Sequence, residues 1–517
     1  MGVRLETQIN WARKSDRAVL RAALRAFSVA AGLLVADHAS ATPWMDVGDT
    51  QMRSDVEVLA AAGIIDDVTT QWPLPWGGIV ASLEQADAQN LPGYLRAAAE
   101  RLEAEGQRAI AVDQLNYAAN VDVTNLPDVV RGFDGLGRED AQGSVSAEWT
   151  GNNTAIRLQV GTQTFDRYDH QALMPDGSYI AERVGNVAVY AGYVTHWWGP
   201  GWDTALSLSN NARPFPQIGY RRLSTSAFSW PILSWLGPWN HEMFLGVFDD
   251  PRMARKTLFH ATRFEFNPFE GFSFALARLT EFCGTGEVCK PFAELTNVQN
   301  GSAYVSKSKD EADIDLRYTN MFQGFSYAVY LQVMNRDTGP FVHSDSSHVF
   351  GLTAWVPVRQ TAVRFTAEYG DTISTDNIFS FGKDFYGITY TDYKYPDGWQ
   401  YRGRTLGSSL DTDSRLASFH ASWIGPHDLT YALTYYRAYI DSPQTLKGYE
   451  NLVGTATPPL SGNRITSAPV VIDIGEARVR IPFRDLSLEA AVRLQDDQPR
   501  PDHGFTAAGE LSVTYRL

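Results

Sequence analysis

Residues suited to hold a sugar gather in His196–Arg222, which reads HWWGPGWDTALSLSNNARPFPQIGYRR. Trp197, Trp198 and Trp202 carry broad apolar faces that can stack on the C–H faces of sugar rings. Asp203, Asn210 and Asn211 carry planar groups that take hydroxyls in pairs, and Arg213 carries a fork that can capture a carboxylate or phosphate. Trp230, Trp235 and Trp239 follow in WPILSWLGPWN, so six of the 14 tryptophans fall between positions 197 and 239. A second run, Tyr395–Ser414, reads YPDGWQYRGRTLGSSLDTDS. Strand alternation there puts Gln400, Arg402 and Arg404 on one face, with Trp399 and Tyr401 opposite, and Gly403 would let a group approach the backbone closely.

Each of these residues also has a plainer role open to it. Tryptophans form girdles where a barrel meets the lipid interfaces. Gly199-Pro200-Gly201 could simply shape a tight loop, and Asn210 and Asn211 could satisfy the backbone of a turn. Arg402 and Arg404 could join a salt-bridge network with Asp411, Asp413, Asp315 or Glu368, which would be compatible with presenting an arginine to a ligand.

Recognition is favoured over catalysis. The chain has no G-x-S-x-G elbow, no H-E-x-x-H, and no P-loop or dinucleotide fingerprint. The expectation is therefore a protein without catalytic residues, cofactor or metal. A hydrolase assembled from distant strands would leave no such motif, so it stands as one alternative. The two cysteines, Cys283 and Cys289 in FCGTGEVCKPF, flank a glycine-rich stretch that can turn the chain back, and they read as a disulfide.

The amino terminus sets the compartment. Arg4, Arg13, Lys14, Arg17, Arg21 and Arg25 precede an apolar run at 26–36, then Ala39-Ser40-Ala41. This pattern is a secretory signal over 1–41, cut after Ala41, with an apolar part too short to span a membrane. Its removal takes six basic and three acidic residues from 44 and 59, leaving 38 against 56 and moving the formal charge from −15 to −18. So acidic an exported chain lacks the basic footprint of a nucleic-acid binder.

Two textures follow. Residues 42–112 read as a periplasmic helical module: Val56, Leu59, Ala60 and Ile64 keep helical spacing, WPLPW at 72–76 breaks the chain, and helical patterns resume over 79–88 and 91–105. From there to the end, residues 113–517, the period is two. Ile156, Leu158 and Val160 alternate with Ala155, Arg157 and Gln159, and Ile314, Leu316 and Tyr318 alternate with Asp313, Asp315 and Arg317. The same is true of Leu486–Gln495 and of the closing LSVTYRL. Apolar residues on one face and charged ones on the other fit a mainly β protein, a transmembrane antiparallel β-barrel with lipid outside and a wet interior. Some 400 residues, at roughly 20 to 24 per strand and connection, allow ~18 strands.

The HWWGPGWD…NNARPFPQIGYRR and YPDGWQYRGRTLGSSLDTDS runs, with LAAAGII…WPLPW ahead of them, resemble the Wzi family of outer-membrane capsule-assembly proteins. The resemblance covers nearly all of the chain beyond the signal. It implies an 18-stranded outer-membrane barrel with a helical bundle at its periplasmic face. It also implies a lectin-like, non-catalytic role in attaching capsular or extracellular polysaccharide to the cell surface. On this reading Trp197, Trp198 and Trp202 stack on sugar, and Asp203, Asn210, Asn211, Arg213, Arg402 and Arg404 take hydroxyls and acidic groups. The other partners expected are outer-membrane lipid and lipopolysaccharide, and the barrel insertion machinery. A sugar or anion porin, its arginines lining a constriction, is the main alternative.

Overall fold

The computed structural model describes residues 44–517 apart from 87–89, 136, 165–172, 288, 290–307, 337–345, 376–383, 393–394, 426–427, 441–462, 467–468 and 499. The signal expected over 1–41 and its cleavage point lie outside the described residues.

Three helices come first: α1 (Thr50–Ala61), α2 (Trp76–Gln85) and α3 (Gly93–Ile110). Asp49 starts α1 by accepting the backbone N–H groups of Gln51 and Met52, each at 3.1 Å. The second helix starts at Trp76, three positions before the Ile79 expected from spacing, because extended Pro75 serves as its cap and releases the chain into helix at once. Even the charged residues Arg53, Asp55 and Glu57 of α1 are buried, so this helix is enclosed rather than laid on a surface.

Eighteen antiparallel strands then close into a barrel. They are β1 (Gln114–Thr124), β2 (Ala141–Thr150), β3 (Thr154–Gln163), β4 (Tyr179–Val184), β5 (Val187–Gly192), β6 (Gln217–Arg222), β7 (Trp239–Val247), β8 (Leu258–Phe269) and β9 (Phe272–Phe282). The second half is β10 (Lys309–Phe322), β11 (Phe325–Arg336), β12 (Ser346–Val358), β13 (Thr361–Thr375), β14 (Ser414–Ile424), β15 (Thr430–Ile440), β16 (Val470–Phe483), β17 (Leu486–Gln498) and β18 (Arg500–Arg516). Each strand pairs with its sequence neighbour, and β18 closes on β1 with Leu511 opposite Val123 and Tyr515 opposite Ala119.

Alternation sorts the side chains as the period of two requires. Leu158, Val160, Leu316, Tyr318, Val492 and Leu494 face outward, exposed, while Asp313, Asp315, Arg317 and Arg493 are buried inside. The inward charges pair across strands: Arg263 with Asp315, Arg221 with Glu242, and Arg493 with Glu510 at 2.5 Å. Isolated buried charges would be too costly to retain, so an interior of this polarity must be a network.

The turns at 151–153, 185–186, 270–271, 323–324, 359–360 and 484–485 lie at one end together with the longer connection 223–238, and the strand ends that bound 125–140, 193–216, 283–308, 376–413 and 441–469 lie at the other. Outer-membrane barrels keep short turns in the periplasm and long loops outside. The helices sit at the short-turn end: Tyr94 donates to the Gly324 carbonyl at 3.2 Å, and Arg101 bonds Asp428 at 3.2 Å.

The barrel is filled from both ends. From the long-loop end, residues 193–216 fold inward until Trp197 and Trp198 pair, as a two-residue antiparallel ladder, with Trp72 and Gln71 of the helical segment. Phe133 of the 125–140 connection also reaches this core, with its ring 4.9 Å from Trp72 and 5.5 Å from Trp197.

Candidate functional site

The two motifs, though about two hundred positions apart, form one body. Ser209 donates its N–H to the Leu406 carbonyl at 2.6 Å and its hydroxyl to the Gly407 carbonyl at 2.5 Å. Asn211 donates to the Thr405 carbonyl at 3.0 Å, Trp399 to the Ser207 carbonyl at 3.2 Å, and Tyr390 to the Leu206 carbonyl at 2.8 Å. At Gly407 a Cβ would lie 2.0 Å from the Leu206 carbonyl, so a side chain there would force the segments apart.

The inner half of this body is the tryptophan turn. Trp197 and Trp198 are 0% exposed and Trp202 is 4% exposed. Arg53 of α1 donates to the carbonyls of Pro200 at 2.7 Å and Gly201 at 2.9 Å, and Trp197 also donates to Gly201 at 3.0 Å. The Trp202 ring has guanidinium carbons near it, Arg364 at 3.6 Å and Arg53 at 4.3 Å. These placements bury Trp197 and Trp198 completely and set Trp202 against two guanidinium groups, rather than presenting the three rings on an open surface. The physical reason is that inward folding turns the apolar rings toward one another, where they seal the lumen.

The barrel wall grips this turn through Glu368, expected from sequence as a partner for Arg402 or Arg404, and through residues that the sequence did not single out. Glu368 of β13 accepts the N–H groups of Trp202 at 2.6 Å, Asp203 at 3.2 Å and Thr204 at 2.7 Å, and the Tyr330 hydroxyl at 2.8 Å. Gln332 of β11 accepts the Leu206 N–H at 3.0 Å and donates to the Trp198 carbonyl at 3.0 Å. Asp203 takes Ser418 at 2.5 Å, His420 at 2.7 Å and Tyr436 at 3.3 Å. Burial works to raise the Asp203 carboxyl, but the His420, Ser418 and Tyr436 contacts outweigh it and hold the group below the usual carboxylate range. A serine, a histidine and an aspartate thus meet here. Both Ser418 and His420 bond the aspartate, so His420 does not stand between them as a base would.

The outer half is an arginine cluster. Gln400–Tyr401 and Arg404–Thr405 pair as a miniature hairpin, with Gln400 opposite Thr405 and Tyr401 opposite Arg404. This segment is not a barrel strand, so the expected one-face arrangement of Gln400, Arg402 and Arg404 does not occur. Arg402 and Gly403 are the two turn residues, at φ 49° and 78°, the left-handed pair that a tight hairpin demands. Gly403 therefore serves the turn rather than a close approach.

The hairpin brings Arg402 and Arg404 beside Arg213 and Arg138 around a small pocket that also includes Tyr401, Gln163 and Glu139. Arg213 pairs with Asp176 at 2.8 Å, Arg404 with Glu139 at 3.0 Å, and Arg402 with Asp249 at 3.2 Å. Arg138 donates to the carbonyls of Asn210 at 2.7 Å and Asn211 at 3.1 Å. Burial and the neighbouring arginines push its guanidinium down to about 9. Arg402 and Arg404 form ion pairs, but with Asp249 and Glu139 rather than with the Asp411, Asp413, Asp315 or Glu368 expected of them. Asn210 and Asn211 serve backbone groups: Asn210 donates to the carbonyls of Phe133 at 3.3 Å and Asp134 at 2.8 Å. Sequence reading missed Arg138, which carries no local motif, and Arg53, which looks like any charge on a helix.

The other tryptophans separate from both halves. Trp230 and Trp235 are exposed in the connection between β6 and β7, and Trp239 stacks on Phe228 at 4.3 Å where β7 begins. Cys283 and Cys289 are joined by a disulfide beyond β9. Tyr395 donates to the Cys283 carbonyl at 3.1 Å, tying that loop to the second motif.

Comparison with known proteins agrees with this architecture. The chain is similar to Wzi of Escherichia coli, described as an outer membrane protein involved in group 1 capsule assembly and as a carbohydrate-binding β-barrel. The match has a TM-score of 0.77 at 18% identity and covers 92% of this chain and 99% of that one. It is 23% identical over 374 residues to a Klebsiella pneumoniae protein described only as an uncharacterized 55.8 kDa protein in the cps region, covering 71% of this chain and 70% of that one. A weaker likeness, with a TM-score of 0.44 at 13% identity, joins it to the outer membrane protein OprD of Pseudomonas aeruginosa, over 78% of this chain and 93% of that one. The family model of the capsule assembly protein Wzi matches residues 113–458, more than half of the chain. The chain belongs to the Wzi family of outer-membrane capsule assembly proteins.

Proposed function

We propose that this barrel binds exported acidic polysaccharide at its long-loop end and holds it at the cell surface without catalysis. The observation that carries the reading is the convergence of Arg138, Arg213, Arg402 and Arg404, from three distant segments, on one pocket above a filled lumen. Their carboxylate and carbonyl partners orient the guanidinium groups, so that acidic sugar units meet a pre-set array. Arg213, Arg402 and Arg404 take the glycan. Asn210 and Asn211 fix the loops beneath, while Trp197, Trp198, Trp202 and Asp203 form the foundation. The exposed apolar belt fits a surround of outer-membrane lipid and lipopolysaccharide, and the closing strand β18 is the element to engage the barrel insertion machinery.

Two features support this reading over its rivals. The inward fold of 193–216 against the helical segment fills the path a porin would need, so conductance in a planar bilayer should be close to silent. The shared bonding of Ser418 and His420 to Asp203 argues against a serine hydrolase, and a serine-directed probe should leave the protein unlabelled.

The decisive test compares cells lacking the protein with cells carrying Arg213→Ala, Arg402→Ala or Arg404→Ala, measuring polysaccharide on cells against polysaccharide in the medium. A shift to the medium at constant total supports the reading. Unchanged partition with a fully assembled barrel overturns it.

A further inference from the structure

Between the helices and the barrel wall, at the short-turn end, lies a cavity of about 110 Å³. That is several times the ~10–15 Å³ one water needs. It runs from the rim near Gln360 and Thr430 inward to Trp202 and Tyr436. It therefore faces the periplasm, on the opposite side of the tryptophan turn from the arginine pocket.

Four arginines line it, and three are matched by carboxylates. Arg101 pairs with Asp55 at 2.7 Å, Arg478 with Glu489 at 2.7 Å and Glu476 at 2.9 Å, and Arg480 with Asp49 at 3.1 Å. Arg364 is different. It is 9% exposed, and among the described residues neither its Nε nor its Nη1 meets a hydrogen-bond partner. Its guanidinium overlies the Trp202 face at 3.6 Å, and the charges that act on it are the Glu57 and Asp203 carboxylates and the Arg53 guanidinium, none of them in an ion pair with it among the described residues. Asp203, on the same wall, is already committed to Ser418, His420 and Tyr436. A cation so buried and so poorly matched costs stability unless something supplies the missing acceptor. The rest of the lining offers the hydroxyls of Thr430, Thr434 and Ser422 and the Tyr94 and Tyr436 rings, along with the Asp134 carboxylate, which is held toward Arg478 at 3.6 Å.

We infer that this cavity is a second binding site, open to the periplasm, for a small hydroxylated oxyanion whose carboxylate or phosphate engages Arg364. A uronic acid and a sugar phosphate share that chemistry. The site is independent of the outer arginine pocket, and its failure would leave the outer reading untouched.

The test uses the full barrel in detergent and reads the shift in unfolding temperature on adding glucuronate, glucose or inorganic phosphate, since a ligand of the folded state alone raises that temperature. Glucuronate should raise it saturably, glucose should not, and Arg364→Met should abolish the shift. Without ligand, Arg364→Met should unfold no earlier than the parent, because an unmatched buried cation is removed. The shift should persist in an Arg213→Ala, Arg404→Ala background, which separates this site from the outer one. An equal response to inorganic phosphate overturns the sugar component and keeps the oxyanion. An equal response to glucose overturns the role of charge. No shift with either anion, or the same shift in Arg364→Met, overturns the site.

Discussion

The tryptophan turn and the arginine pocket share the 193–216 connection and use similar chemistry, yet the turn lies within one connection and the pocket gathers three distant segments. At the turn, Arg53 lies against Trp202, Glu368 closes over three backbone N–H groups, and the Trp197 and Trp198 rings are used within the core. At the pocket, Arg402 and Arg404 are only partly buried and are held by carboxylates at the edge of the barrel's long-loop end. The lesson is that residue type states which interactions are available, while depth decides whether the protein or a ligand receives them.

Four substitutions sharpen or break this contrast. Trp197→Ala should cost the most, about 3–5 kcal/mol by cavity formation, read as a lowered midpoint of unfolding in detergent. Glycan retention should fall only as far as assembled barrel is lost; retention lost from a stable Trp197→Ala barrel would return the turn to the binding site. Glu368→Leu should follow at about 3 kcal/mol, since it strands buried backbone donors. A midpoint unchanged by this substitution would show that the wall does not hold the turn.

At the pocket the balance reverses. Arg404→Ala, which removes a partly buried pair with Glu139, should lower affinity for acidic polysaccharide about tenfold while moving stability by only about 1 kcal/mol. Added salt should weaken the parent and narrow the gap, as screening requires. A stability loss matching that of Trp197→Ala would erase the distinction between the halves.

The smallest effect concerns His196, stacked on Phe244 at 4.5 Å. Burial, aided by Arg221 and opposed by Glu242, pushes its imidazole down to about 4. The unfolded chain takes up the proton first, so its contribution is intact above the ordinary value near 6.5 and is lost as pH falls toward 4. Between pH 7 and 6 the midpoint should drop slightly more in the parent than in His196→Gln. Equal slopes would show that the site is not sealed from solvent.

The barrel was legible because a period of two survives any loop length. Asp313, Asp315 and Arg317 against Leu316 and Tyr318 could be assigned to lumen and lipid from spacing alone. The inward fold of 193–216 was not, because an irregular segment entering a lumen leaves no period, and a tryptophan sealing a core has the same letter as one in a girdle. The pooling of Arg213 with Arg402 and Arg404 was legible as chemistry, whereas Arg138 was invisible because its value lies in facing two carbonyls brought from another loop. Arg402 was misplaced because Arg402-Gly403 was read as strand when it is the turn of a hairpin.

The seam of the barrel joins its wall to the helical segment. Strand β18 lies on β1, and Leu517 exchanges backbone bonds with Tyr117 at 2.8 and 2.9 Å. Beside that seam, Asp49 caps α1 and also binds Arg480, with Arg516 at 4.0 Å. Strand β18 therefore closes the barrel directly beside the enclosed helices. Opening the seam between β1 and β18 would disturb the helical segment as well as the wall, because Asp49 ties the start of α1 to Arg480 next to it.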